Sequence, residues 1–139
     1  MAIASVFLWI GFVGAISFME AWIKFRAPGI TVPLGLGIGK LVFGALNMVE
    51  WVLVVLVIVD LTGAKNKIFT TKNLWFFIPL ILLTIQTIWL LPVLDARASI
   101  YIRTGGVGMP TSYLHFYYVG MEIVKVVCLL IFGAKLFKT

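Results

Sequence analysis

Two sets of polar side chains sit inside strongly apolar runs of this sequence: Lys40, Asn47 and Glu50 in one, and His115, Glu122 and Lys125 in another. In each set the second and third members follow the first by seven and ten residues. Seven residues is close to two turns of an α-helix, so each trio shares a helical face. Carboxylates, an imidazole and ammonium groups held away from water could move protons, bind an ion or ligate a metal. They could equally pair with one another and only fix helix register.

The elements that carry them follow from composition. The chain has 139 residues, of which 63% are hydrophobic and 12% charged, with a mean hydropathy of +1.15. Soluble domains carry about 25% charged residues, so a bilayer is the expected solvent. The apolar runs are continuous and do not alternate, which predicts helices of roughly 20 residues and not barrel strands. The sequence predicts an all-α integral membrane four-helix bundle, one domain over residues 1–139. Its spans are about Ala2 to Lys24, Leu36 to Leu61, Leu74 to Leu94 and Tyr113 to Leu136.

The segment Ala27-Pro28-Gly29 with Pro33 ends the first span, and Thr62-Gly63 ends the second. The first apolar run lacks a basic leader and a small-residue cleavage site and passes through Glu20, so it reads as a retained helix. Residues Asp95 to Arg103 can prolong the third helix, whereas Gly105, Gly106, Gly108 and Pro110 cannot. That glycine-rich stretch lacks the lysine and hydroxyl of a phosphate loop. Small residues at Gly11, Gly14, Gly35, Gly39, Gly44 and Gly120 suit close helix approach.

Four spans place both termini and the loop from Ala64 to Lys72 on one side, with Lys65, Lys67, Lys72, Lys135 and Lys138. Lys24, Arg26, Arg97 and Arg103 fall on the other. The positive-inside rule then favours cytoplasmic termini by a small margin. Dispersed basic residues and a net charge of +6 point to anionic lipid head groups as partners and not to nucleic acid. Trp9, Trp22, Trp75 and Trp89 fall toward span ends, where an amphipathic ring suits the interface; Trp51 lies mid-span and needs a partner for its N–H.

The second and fourth helices run in the same direction, so equal offsets lie at similar depths. Glu50 should then pair with Lys125, and Asn47 should hydrogen-bond Glu122 beside them. Gln86 reaches mid-depth from the third helix. Glu20, Lys40 and His115 gather nearer the surface with Asp95 and Arg97 at the mouth, outlining a pocket or half-channel toward the first and third loops.

His115, Glu122, Glu20 and Glu50 could supply metal ligands, but a diiron bundle needs Glu-x-x-His pairs and none is present. One histidine excludes bis-histidine haem and leaves His115 with a methionine as the haem alternative; no cofactor is favoured. The lone Cys128 forms no intramolecular disulfide. These residues support a non-catalytic membrane protein with a buried polar site, either a small transporter or a subunit of a larger membrane complex or homo-oligomer. In a transporter, Glu50, Glu122 and His115 would exchange protons.

Asn47-x-x-Glu50, the basic Lys24 and Arg26, and Arg97 with Tyr101 resemble the glutathione-dependent four-helix membrane enzymes of eicosanoid and glutathione metabolism. That resemblance implies a trimeric enzyme acting on a lipophilic substrate, with glutathione between subunits. The arginine that precedes the asparagine in that family's motif is absent from Leu41 to Leu46 here. A second resemblance covers most of the chain. Gly11, Gly14, Phe18 through Ala27-Pro28-Gly29, Val42-Phe43 and Tyr113-Leu114-His115 are similar to the transmembrane protein 205-like four-helix family. It implies the architecture, with His115 as a motif position, and no reaction.

Overall fold

A computed structural model describes residues 1–63, 73–110 and 112–137. Four helices account for nearly all of them: α1 (Ala2–Arg26), α2 (Val32–Gly63), α3 (Leu74–Thr104) and α4 (Leu114–Phe137). The expected segment from Ala64 to Lys72, with Lys65, Lys67 and Lys72, lies outside the described residues, as does Lys138. The first three helices are long and apolar enough to cross a membrane.

Helix ends differ from the sequence expectation where proline and glycine act locally. Gly29 takes a left-handed φ of 81° in the turn after α1, but Pro33 does not belong to that turn. It sits in the first turn of α2, where its missing N–H would lack an intrahelical partner anyway. α3 continues ten residues past Leu94 and stops where Gly105 adopts φ 65° and donates its N–H to the Tyr101 carbonyl. Gly106 follows at φ 83°, and any β-carbon there would collide with the Tyr101 ring.

Two helices contain π-helical stretches, Gly14–Glu20 in α1 and Gln86–Leu90 in α3. The second has a clear cause in Pro92. Proline cannot donate to the Ile88 carbonyl and its ring crowds that oxygen, and a widened turn relieves both.

Consecutive helices are antiparallel: Ala2 N–H donates to Asp60 near the end of α2, Lys40 reaches Ser99 late in α3, and Lys135 lies over the Trp75 ring. α1 packs on α2 and α4, and α3 packs on the same two. The helices therefore form a ring in which α2 and α4 face each other across a diagonal.

The inward stripes repeat every three or four residues. Val6, Trp9, Val13 and Ser17 line α1; Phe76, Pro79, Leu83, Gln86 and Leu90 line α3; Tyr118, Glu122, Lys125, Leu129 and Phe132 line α4. The outward faces are apolar, as with Leu41, Met48, Val52, Val55 and Val59 on α2 and Phe116, Ile123, Val127 and Leu130 on α4. Charges inside and large aliphatic groups outside is the reverse of a water-soluble bundle.

Candidate functional site

At the centre, Lys125 Nζ donates to Glu50 Oε1 at 2.6 Å and to Glu122 Oε1 at 2.8 Å. All three side chains are buried, Lys125 and Glu122 completely. The expected Glu50–Lys125 pair is present, and it spans the diagonal between α2 and α4. The two adjacent helices complete it. Trp9 Nε1 on α1 donates to Glu50 Oε1 at 2.7 Å, and Gln86 Nε2 on α3 donates to Glu122 Oε1 at 2.7 Å. Every helix thus ties at least one side chain into the cluster, α4 two, which fixes their relative rotation and depth. Charge-assisted bonds of this length are stronger than neutral ones.

The expected Asn47–Glu122 bond is not formed. Asn47 Nδ2 instead donates to Thr87 Oγ1 at 2.8 Å, and Trp51 Nε1 donates to the same oxygen at 3.0 Å. Thr87 Oγ1 in turn donates to the Leu83 carbonyl at 2.8 Å. One hydroxyl thereby accepts two bonds and donates one, its full capacity. The cause is the diagonal. Three residues along a helix offset Asn47 by about 60° from Glu50, which suffices to aim it at neighbouring α3, while Glu122 lies across the bundle and takes Gln86.

Three buried polar atoms in and beside the cluster have no hydrogen-bond partner among the described residues: Ser17 Oγ, Gln86 Oε1 and Glu122 Oε2. The Tyr118 hydroxyl lies beside both Ser17 and Glu122. Tyr118 also forms part of the floor of a cavity of about 280 Å³ at the end of the bundle that holds the α1–α2 and α3–α4 turns.

Lys24, Lys40, Asp95 and His115 line that cavity, and Glu20 and Arg97 do not. Its walls are apolar, with Phe43, Leu91, Leu94 and Ala98. Glu20 contributes indirectly by pairing with Lys24 at 3.3 Å. Lys24 also lies 5.4 Å from the Phe43 ring centre. Lys40 donates to the neutral Ser99 hydroxyl at 3.1 Å. Arg97 is turned away, its guanidinium donating to the Pro110 carbonyl at 2.6 Å.

The expected residues therefore separate into groups. Glu50, Gln86, Glu122 and Lys125 meet at the centre; Lys40, Asp95 and His115 meet in the cavity; Asn47 belongs to the Thr87 node; Arg97 braces the α3–α4 turn. Sequence reasoning placed Trp9 at the interface, whereas it is fully buried on Glu50. Its spacing with Val6, Val13 and Ser17 was the available signal. Trp22 and Trp89 are half exposed, as interfacial rings would be. Among the described residues no cluster of three or more histidine, cysteine, aspartate or glutamate side chains could hold a metal ion.

The sequence matches no family model, no curated protein and no solved structure, so the reading of this site rests on its geometry.

Proposed function

We propose that this chain is a four-span integral membrane protein that holds a small amphipathic molecule in its end cavity and acts as a non-catalytic carrier or small transporter. The observation that carries it is the cavity of about 280 Å³, whose apolar walls also carry the ammonium groups of Lys24 and Lys40 and the carboxylate of Asp95. Such a combination of apolar lining and few placed polar groups is the usual form of a ligand site. The inverted polarity of the bundle supports the membrane placement. At about 1.5 Å per residue, the 24 residues of α4 also suffice for a hydrocarbon core about 30 Å thick.

Of the two ammonium groups in the cavity wall, Lys24 is paired with Glu20 and Lys40 shares the cavity with Asp95, so an acidic head group would bind by competing with Asp95 for Lys40. Lys40 is its principal partner, since Glu20 already engages Lys24. The central Glu50–Lys125–Glu122 cluster holds the frame on which the cavity sits. The likeness to the transmembrane protein 205-like family would supply the same architecture and leaves the ligand open.

The test is binding of cis-parinarate, a fluorescent fatty acid, to purified protein in micelles. Wild type should bind one equivalent saturably, and Lys40→Met and the cavity-filling Ala98→Trp should each weaken binding at least about tenfold, or about 1.4 kcal/mol. Equal binding by all three proteins would remove the cavity as the site.

A further inference from the structure

The central cluster is short of one positive charge. Glu50 and Glu122 supply two carboxylates and Lys125 one ammonium, all fully buried. A net negative charge in the apolar centre of a bundle is costly, and such a group normally finds a compensating partner. Beside Glu122 stand two hydroxyl donors, Tyr118 and Ser17, each with one proton to give. Ser17 Oγ, Gln86 Oε1 and Glu122 Oε2 are buried without a partner among the described residues, and all three are oxygens able to accept. A bound water could satisfy the open oxygens, but only a cation would also compensate the charge.

We propose that Glu122, Gln86 and Ser17 form a binding site for one monovalent cation, a proton or a sodium ion. Gln86 Nε2 is bonded to Glu122 Oε1, so its free amide oxygen sits on the group that already faces the carboxylate. A proton carried on Glu122 Oε2 would have that oxygen or the Ser17 hydroxyl as its acceptor. A sodium ion would take the same three oxygens as ligands. Ser17 and Gln86 each lie in one of the two π-helical stretches, which displace these side chains from regular α-helical positions. Stretches of this kind recur at functional sites.

Each helix contributes to the surroundings of Glu122. Lys125 and Tyr118 come from its own helix, Glu50 from α2, Gln86 from α3 and Ser17 from α1, with Trp9 behind Glu50. Tyr118 both lines the cavity and adjoins Glu122, so its ring separates the site from the bundle end. The site stands whatever the cavity binds.

The experiment is thermal unfolding of the purified full chain in micelles in sodium or choline chloride at equal ionic strength, each at acidic and alkaline pH. If the ion is sodium, the midpoint rises saturably with sodium at alkaline pH and is indifferent to choline. If it is a proton, the midpoint rises on acidification in both salts, and the infrared spectrum shows a carboxylic acid band that Glu122→Gln removes. In either arm Glu122→Gln abolishes the dependence. Ser17→Ala keeps it but shifts its midpoint about tenfold in cation concentration, equivalent to about 1.4 kcal/mol. A wild-type midpoint indifferent to both sodium and pH overturns the proposal, as does a dependence that persists unchanged in Glu122→Gln. Because no cavity residue is altered, failure here is distinct from failure of the carrier reading.

Discussion

Replacing Lys125 by methionine should be far more damaging than replacing either carboxylate it binds. Lys125 Nζ makes two bonds, of 2.6 Å to Glu50 and 2.8 Å to Glu122, with essentially no exposure on any of the three side chains. Methionine fills similar volume but leaves two carboxylates facing each other with no cation between them. Breaking a buried pair by removing one partner costs about 3 to 5 kcal/mol. Glu50 is stranded outright, and Glu122 with it wherever no cation occupies its site, so the upper end of that range is expected without that cation. Glu122→Gln acts in the opposite sense. It leaves a one-to-one Glu50–Lys125 pair, its carbonyl can still accept from Lys125 and Gln86, and its new N–H₂ faces the open oxygens of Ser17 and Gln86. That substitution should be neutral or stabilising by about 1 kcal/mol, since a neutral, satisfied network replaces a charged one. Equilibrium unfolding in mixed micelles titrated with sodium dodecyl sulfate measures both. Equal stability of Lys125→Met and wild type, or a larger loss in Glu122→Gln than in Lys125→Met, would refute the charge accounting of the cluster.

Two further substitutions probe the bonds around it. Thr87→Val keeps shape but leaves Asn47 Nδ2 and Trp51 Nε1 without their shared acceptor; a loss of about 2 to 4 kcal/mol is expected in the same unfolding assay, and a loss below 0.5 kcal/mol (about the surface-substitution level) would contradict the node. Trp9→Phe removes the indole donor to Glu50 while retaining the contact with the Phe76 ring. A hydrogen bond to a charged group is worth about 1.5 to 3 kcal/mol, so a loss in that range is expected, and fluorescence should lose a component insensitive to aqueous quenchers. Unchanged quenching would place Trp9 at the interface.

The composition and the length of the apolar runs determined the helical class and the number of helices, because backbone groups in an apolar solvent must be satisfied within each segment. The seven- and ten-residue spacings were enough to bring Glu50 and Lys125 to one depth, since helical rise and rotation are local properties of the chain. Local chemistry also told most of the helix ends, but not Pro33, whose role depends on which side of a turn it falls.

What the sequence could not decide was the order of helices around the bundle. A trio on one helical face says which residues look inward and nothing about which neighbour they meet. Adjacent α2 and α4 would have brought Asn47 to Glu122; diagonal placement gave Asn47 to Thr87 and Glu122 to Gln86. The same placement turned Trp9 from an expected interfacial ring into a buried donor. The cavity and the one unmatched negative charge arise only when four inward stripes meet, because each is a property of distances between helices and not of positions along one.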